Sequence, residues 1–415
     1  MAIPPAPHAP VAAHERLYLL DAIRGVALGG ILLANLTSFF GTDMMDAPTR
    51  HALPWSAAGD RVLFAIDWFV EGKFYSVFSM LLGMGFTLQA ARAARRGDDI
   101  DGFFRRRMAV LIVIGLVHML MLWSGDILML YGVMGLLLPS LARLRPALRT
   151  AAMLTLFAVP FATHAAVLAS NGAYDPRPPF AAAGTALREH WGVADRPTLD
   201  LFARGTSTDY LAWNTANAVV RPGTYLQSGR PAKVLALFLL GMWLGTAVLL
   251  RLAASRRTLW SAVVVGAVVG LPCSFVYASI KAATRSTFLV SGEGLLQTAA
   301  YTLGTTPLAL AYMAAAALLW QTSTGRTALE WCVPLGRMAL TVYLTQSAVQ
   351  LAVFSSHGAG LAGRISLAWL PVVAAAILVT QRYACQAWLR RHAHGPLESV
   401  WRRAAYGRRA VATSE

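Results

Sequence analysis

The chain contains long apolar stretches, each roughly as long as a helix must be to cross a lipid bilayer. They occupy 17–39, 63–88, 104–123, 127–144, 148–169, 233–251, 258–280, 294–320, 335–355 and 365–389. A hydrocarbon core of about 30 Å requires about 20 apolar residues in a helix, whose backbone hydrogen bonds are internal. The sequence therefore predicts an all-α polytopic transmembrane helix bundle of about ten spans, forming a single integral membrane domain over residues 1–415.

The charged residues are few and concentrated. They make up 13% of the chain, against 56% hydrophobic residues, whereas soluble domains carry about 25% charged residues. The net charge of +16 comes mostly from arginines between the apolar stretches, so a nucleic-acid-binding protein with one basic face is excluded. The cysteines, Cys273, Cys332 and Cys385, are far apart and predict neither a disulfide framework nor a metal site.

Arginine clusters fall in alternate loops and predict the orientation of the bundle. They are Arg92, Arg95, Arg96 and Arg105 to Arg107 after the second span, Arg143, Arg145 and Arg149 after the fourth, Arg251, Arg256 and Arg257 after the sixth, and Arg390, Arg391, Arg402, Arg403, Arg408 and Arg409 at the end. Loops rich in Arg and Lys stay in the cytoplasm, so both termini are predicted to be cytoplasmic. The amino-terminal segment has no cleavage site of small residues, and we expect it to be uncleaved.

The segment 171–232 is predicted to be a large extracytoplasmic insertion. It opens with Asp175-Pro176-Arg177-Pro178-Pro179, which is incompatible with a helix interior. A helical stretch over Leu199 to Val220 follows and is expected to end before Arg221-Pro222-Gly223. A connection of this length is usually functional. Two interpretations stay open, a cap over the external mouth of the bundle and a tolerated surface insertion.

Polar residues inside the first two spans are candidates for a site, because such groups are costly in a membrane. Asp21 and Arg24 are three residues apart and can pair at the cytoplasmic rim. Asn35 lies about 16 Å further along the same helix. In the second span, Asp67 and Glu71 are predicted to share one helix face, where their like charges require a cation, a proton or a positive neighbour.

Two further spans carry polar groups at a similar depth. His118 lies about 16 Å beyond Arg107, and an imidazole can act as a general base or nucleophile. Asp126, after a tight turn, is expected either to orient that ring or to cap the next helix. Gln346 lies about 14 Å into the ninth span, so a cavity shared by Asn35, His118 and Gln346 is predicted. The Arg105–Arg106–Arg107 cluster is the best candidate for binding a phosphorylated ligand, although its position as a topology signal also explains it.

Several blocks of the sequence resemble YeiB-like bacterial membrane proteins, a family of unknown function. They are Leu20-Asp21-Ala22-Ile23-Arg24-Gly25-Val26-Ala27-Leu28, Phe69-Val70-Glu71-Gly72-Lys73-Phe74-Tyr75-Ser76, Gly115-Leu116-Val117-His118 with Trp123-Ser124-Gly125-Asp126, Gly336-Arg337-Met338-Ala339-Leu340-Thr341, and Gly395-Pro396-Leu397-Glu398. The resemblance extends along the chain except for the insertion. It implies a multi-pass protein of the bacterial cytoplasmic (inner) membrane, in the cell envelope.

The Asp-x-x-Arg-Gly-x-Ala-Leu opening, with an Asn later in the same helix, is also similar to the heparan-α-glucosaminide acetyltransferases. Those transmembrane acyltransferases use cytoplasmic acyl-CoA to modify sugars on the far side. The resemblance implies Asn35 as a site residue and a cytoplasmic entrance near Asp21 and Arg24. The family's reactive His follows shortly after that Asn. Here the matching stretch is Met44-Met45-Asp46, so the role falls to His118 or to His51.

The resulting functional prediction is an acyltransferase that moves an acyl group, in the first instance acetyl, from acyl-CoA to an extracytoplasmic glycan or lipid hydroxyl. The predicted catalytic residues are His118, Asp126, Asn35, Glu71 and Gln346, and the predicted acyl-CoA-binding residues are Asp21, Arg24, Arg105, Arg106 and Arg107. Membrane lipids are the expected partners, an oligomer is compatible with the sequence, and no metal or nucleic acid is expected. The alternatives are a proton-coupled transporter or lipid translocase that uses Glu71, Asp67 and His118, and a non-catalytic membrane scaffold.

Overall fold

The computed structural model describes residues 18–249 and 255–406. Three interpretations therefore concern residues outside the described ranges, namely the uncleaved start at 1–17, the end of the sixth predicted span at 250–251, and the positions of Arg251, Arg408 and Arg409. Every regular element in the described ranges is helical. The predicted all-α class is confirmed.

The helices follow one another with short connections. They are α1 (Tyr18–Phe39), α2 (Ala47–His51), α3 (Ser56–Phe69), α4 (Lys73–Arg96), α5 (Ile100–Met121), α6 (Leu128–Gly135), α7 (Leu138–Ala142), α8 (Pro146–Ala169), α9 (Arg177–His190), α10 (Thr198–Ala203), α11 (Ser207–Gln227), α12 (Arg230–Leu244), α13 (Arg256–Thr284), α14 (Gly292–Leu319), α15 (Ser323–Glu330), α16 (Val333–Arg337), α17 (Ala339–Phe354), α18 (Leu370–Leu389) and α19 (Pro396–Tyr406). A π-helical turn, Gly245–Leu249, extends α12, and a 3-10 turn, Leu367–Trp369, precedes α18.

Six helical segments of the described chain are long and apolar enough to cross a membrane. They are Tyr18–Phe39, Ser56–Arg96, Pro146–Ala169, Arg256–Thr284, Gly292–Leu319 and Leu367–Leu389, and Ala339–Phe354 is a shorter apolar helix. The chain is thus a helical protein with several membrane-spanning candidates. The count of ten spans and the orientation of the bundle stay predictions.

Two predicted spans are not single straight helices. The second is broken, because α3 ends at Phe69 and α4 begins at Lys73. Gly72 at the break has φ +81°, a left-handed conformation that favours glycine. The fourth is divided into α6 and α7, and an eight-residue helix such as α6 spans only about 12 Å.

The predicted end of the helix in the insertion is wrong. α11 continues through Arg221-Pro222-Gly223 to Gln227, with Pro222 inside it. The helix starts at a capping box between Thr206 and Asp209, and the neighbouring Arg196 guanidinium holds the pKa of the Asp209 carboxyl below its ordinary value. Packing against α9, where Gly223 meets Phe180, outweighs the hydrogen bond that the proline removes.

α1 lies at the centre of the bundle. It contacts α3, α4, α14, α16, α17 and α18, and Gly25 and Gly336 bring α1 and α16 into backbone contact. α4 and α12 meet in the same way, because Gly83 faces the carbonyl oxygen of Phe238 and Gly241 faces that of Met80. Small residues that allow backbones to approach are typical of helix packing in membranes.

Because α4 and α12 are in backbone contact, one methyl group added at Gly241 is expected to lower the stability of the protein strongly. A Cβ at position 241 would overlap the carbonyl group of Met80, so Gly241→Ala is expected to destabilise the protein by about 1–3 kcal/mol. Thermal unfolding in detergent, followed by tryptophan fluorescence, measures the change. Gly102→Ala is the matched control, since nothing lies within 4 Å of the added Cβ there. Equal midpoints for the two variants would contradict the described packing.

Candidate functional site

Two cavities lie against α1 and share part of one wall. The small cavity, of about 290 Å³, is bordered by α1, α4, α5, α6, α17 and α19, and Arg24 and Arg107 line it. The large cavity, of about 660 Å³, is bordered by the other half of α1 and by α3, α13 and α14. Ile31, Ile127 and Tyr343 line both cavities. We call these three residues the partition.

The small cavity is basic at one end and apolar towards the partition. Arg24 forms an ion pair with Asp21 at 2.7 Å, and Arg107 donates a hydrogen bond to Gln89 and lies over the ring of Trp401. Its apolar wall consists of Leu28, Ile31, Phe78, Leu81, Leu82, Phe104, Met108, Leu111, Ile127 and Leu128. Such a cavity suits a ligand with an anionic end and an uncharged arm.

The three arginines of the predicted cluster, Arg105 to Arg107, point in different directions from α5. Arg107 lines the small cavity, but Arg105 and Arg106 do not. Arg105 donates to the Ser140 hydroxyl, and Arg106 contacts the carbonyl oxygen of Gly102. Both are exposed, because consecutive residues of a helix point in different directions. The structure therefore does not bring the three arginines together at this cavity.

The carboxy-terminal segment completes the wall of the small cavity. Glu398 accepts hydrogen bonds from the backbone N–H groups of Leu340 and Thr341 and from the Thr341 hydroxyl, so it caps the first turn of α17 from outside that helix. Arg337 and Arg402 also line this cavity. Sequence reasoning treated Arg402 as a topology signal and Arg337 as part of a family-like block, and it assigned neither to a cavity.

His118 and Asp126 form a buried pair beside the partition. Their Nδ1 and Oδ1 atoms are 2.9 Å apart, and the second carboxylate oxygen of Asp126 accepts the Met129 N–H. Both side chains are buried. The His118 ring lies 5.2 Å from that of Tyr343, and its Nε2 is buried with no hydrogen-bond partner among the described residues. Asp126 thus meets both expectations, orienting the ring and capping the turn before α6.

Side chains of the insertion hold the turn between α5 and α6 in place. The Asn214 amide accepts the Ser124 N–H and donates to the carbonyl oxygens of Met119 and Leu120. Tyr225 donates to the carbonyl oxygen of Asp126 at 2.6 Å. These contacts join the insertion to this turn, and both interpretations of the insertion stay predictions. Sequence reasoning missed both residues, because an Asn and a Tyr in a mixed helix give no signal of a contact about 90 positions away.

The large cavity contains the charged residues of the break between α3 and α4. Asp67 pairs with Lys281 at 2.7 Å, and Lys73 donates to the carbonyl oxygen of Asp67. Positive neighbours therefore resolve the expected repulsion between Asp67 and Glu71. The two carboxylates do not share a helix face as predicted, because α3 ends before Glu71. Glu71 lines the cavity, and its carboxylate has no hydrogen bond or ion pair to any residue in the described ranges.

Two arginines of the large cavity lie over the same aromatic ring. The guanidinium carbons of Arg221 and Arg230 are 4.8 and 5.5 Å from the centre of the Tyr225 ring. Arg221 also contacts the carbonyl oxygen of Gly125 at 3.4 Å, and Arg230 lies over the ring of Tyr75. Sequence reasoning assigned no function to either arginine.

Neither of the two cavities brings Asn35, His118 and Gln346 together. Asn35 lines the large cavity, while His118 and Gln346 line neither cavity. Gln346 instead donates to Gln381 of α18 at 3.2 Å, which is a contact between helices. His51, the alternative imidazole, is exposed and faces Arg285.

Comparisons with known proteins identify the family. The model of a family described as "Protein of unknown function (DUF418)" matches residues 244–408. The uncharacterized protein YxaH of Bacillus subtilis is 26% identical over 96% of each chain, and the uncharacterized protein YeiB of Escherichia coli is 27% identical over 94% of this chain and 96% of its own. The DUF418 match and these two relatives support the predicted YeiB-like DUF418 family. The predicted family is confirmed.

The match to the DUF418 model includes some of the residues at the two cavities and leaves out others. Tyr343 of the partition and Glu398 at the small cavity fall within it, whereas the His118–Asp126 pair precedes it.

An uncharacterized 39.9 kDa protein from Bacillus acidopullulyticus is 40% identical over 31% of this chain and 35% of its own length. No solved structure matches this YeiB-like chain significantly. In the described residues there is no group of three His, Cys, Asp or Glu side chains able to hold a metal ion.

Because Asn214 hydrogen-bonds to the chain before Asp126, we expect the insertion to stabilise the turn that carries Asp126. Asn214→Ala removes three of them and leaves buried backbone groups unpaired, so we expect a loss of about 2–4 kcal/mol. Hydrogen exchange of a peptide covering 119–126 is expected to become faster. Asn217→Ala on the same helix is the control, because Asn217 has no side-chain hydrogen bond to the described residues. Unchanged exchange in Asn214→Ala would disprove this stabilising role.

Proposed function

We propose that the protein is a transmembrane acyltransferase. Acyl-CoA enters the small cavity from the cytoplasm, and a glycan or lipid acceptor with a free hydroxyl enters the large cavity from the other side. One observation carries this proposal. The two cavities meet at a partition that includes Tyr343, and the buried His118–Asp126 pair lies against that residue. Reactants from two compartments need such a meeting point.

The small cavity suits part of an acyl-CoA molecule. Arg24 and Arg107 line its basic end together with Arg337 and Arg402, and guanidinium groups bind phosphates well. The cavity is too small for the whole nucleotide, so the uncharged pantetheine arm fills the apolar part and the phosphates stay at the mouth. This arrangement directs the thioester towards the partition.

His118 supplies the base. Asp126 accepts a hydrogen bond from the Nδ1–H of His118, which leaves Nε2 as the site that accepts a proton. In the proposed step, the acceptor hydroxyl gives its proton to His118 Nε2 while its oxygen bonds to the acyl carbonyl carbon. The carbon–sulfur bond then breaks, and the CoA thiolate takes the proton from Nε2. Because His118 lines neither cavity, the Tyr343 side chain has to rotate away first. Asn35 and Glu71 contact the acceptor from the wall of the large cavity.

One observation favours a second candidate, a proton-coupled transporter. Glu71 presents to the large cavity a carboxylate without an ion pair to the described residues, and membrane carboxylates of this kind carry protons in transporters. Proton-dependent flux that Glu71→Gln abolishes, and that acyl-CoA does not affect, would favour transport over acyl transfer.

The proposal predicts binding of acetyl-CoA to the purified protein. A ligand that binds only the folded state raises stability, by about 2.7 kcal/mol at 100 times its Kd. Arg107→Ala and Arg24→Ala are expected to lose most of the thermal shift, because both side chains line the small cavity. Arg106→Ala is the matched control, since that exposed neighbour points elsewhere. The proposal fails if no acyl-CoA stabilises the protein or if Arg106→Ala has the larger effect.

If His118 is the base, its removal is expected to impair acyl transfer without impairing the binding of acetyl-CoA. His118→Ala is expected to keep the thermal shift with acetyl-CoA and to lose acyl transfer by about 10²–10⁴-fold. Transfer is measured as radiolabel from acetyl-CoA that becomes lipid- or glycan-bound in inverted membrane vesicles containing the protein. The exposed His51→Ala is the control and is expected to behave like wild type. Full transfer activity in His118→Ala would remove His118 from the mechanism.

A further inference from the structure

The most informative feature outside the proposed reaction is the pair of arginines in the large cavity. Arg221 and Arg230 both line it and lie over the Tyr225 ring. No carboxylate of the described residues is within ion-pair distance of either side chain, and the Nε of Arg221 is buried without a hydrogen-bond partner. Glu71 acts on Arg230 only through its charge.

Two guanidinium groups beside one ring repel each other. Arginine stays protonated in proteins, so neither group escapes the repulsion by losing its proton. Contact with an aromatic face offsets part of the cost of removing them from water, but it does not neutralise their charges. The carboxylate of Glu71 compensates at most one of the two charges. An anion from outside the chain would neutralise the remainder.

The arrangement favours a phosphate group over a carboxylate. A single guanidinium satisfies both oxygens of a planar carboxylate through its two parallel donors. A tetrahedral phosphate presents oxygens in several directions, so it can accept hydrogen bonds from two arginines that approach separately. Arg230 is also the first residue of α12, and the amino-terminal end of a helix attracts anions.

The arginine pair is joined to the proposed reaction centre. Tyr225 donates to the carbonyl oxygen of Asp126, and Arg221 contacts that of Gly125. A group held between the two arginines therefore lies next to the turn that carries Asp126, on the side of the large cavity. We propose that Arg221 and Arg230 bind a phosphate ester carried by the acceptor. This inference rests on the proposed function and names the chemical class of its acceptor.

The test is ligand binding by the full-length protein in a non-ionic detergent and a phosphate-free buffer. The probes are inorganic phosphate, sn-glycerol 1-phosphate and dihexanoyl phosphatidylglycerol, and uncharged dihexanoylglycerol and equimolar KCl are the controls. We expect saturable thermal stabilisation by at least one phosphate probe. Stabilisation by phosphatidylglycerol alone identifies a lipid headgroup as the ligand, whereas stabilisation by the two soluble probes alone identifies a water-soluble phosphate ester.

Variants assign the binding to the two arginines. Arg221→Gln and Arg230→Gln are expected to weaken the apparent affinity about tenfold or more, since each removes charge-assisted hydrogen bonds. Arg230→Lys keeps the charge and tests the same position if Arg230→Gln does not fold. Arg204→Gln, at an exposed ion pair with Asp200, is the matched control and is expected to bind like wild type.

Some results would overturn the inference. They are stabilisation by KCl equal to that by phosphate, no stabilisation by any phosphate probe, and unchanged affinity in both arginine variants. Thermal stabilisation by acetyl-CoA, measured on the same samples, distinguishes a failure of the phosphate site from a failure of the proposed acyltransferase function. Its effect is expected to depend on Arg107 and not on Arg230. If only the phosphate probes fail, the acyltransferase proposal stands, and if only acetyl-CoA fails, the phosphate site stands.

Discussion

Asp126 makes the contacts on which the centre of the molecule depends. One carboxylate oxygen contacts the buried ring of His118, and the other accepts a backbone N–H at the start of α6. A buried carboxylate without such partners would be costly. The same residue therefore fixes the direction of the imidazole and the point at which the chain turns back. Ile127, the next residue, belongs to the partition, so the separation of the two cavities follows from this turn.

The insertion and the broken helix give the large cavity its polar character. Gly72 permits the chain to leave α3 and enter α4 with a left-handed residue between them, and this break exposes Glu71 to the cavity. Lys281 crosses from α13 to neutralise Asp67, while Arg221 comes from α11 and Arg230 from the start of α12. Charged groups from distant parts of the chain thus meet in a region that apolar helices surround.

The sequence predicted contacts that are local or lie along one helix. Asp21 and Arg24, three residues apart, pair as expected, and His118 meets Asp126 across a short turn. Gln346 lines neither cavity, since a rise of 1.5 Å per residue gives depth but not the direction in which a side chain points. The Arg105–Arg106–Arg107 cluster was predicted as one unit, although a helix turns each residue to a different side. The contacts of Asn214, Tyr225 and Lys281 join elements far apart in sequence, and no periodicity reveals them.

The hydrogen bonds of Glu398 have a consequence for the order in which the protein is assembled. α19 is the last of the described helices to leave the ribosome, yet it provides the carboxylate that caps α17 and residues that enclose the small cavity. The earlier helices enter the membrane while this wall is still missing. A nascent chain therefore has no finished small cavity, and the cavity closes only when synthesis has passed Glu398.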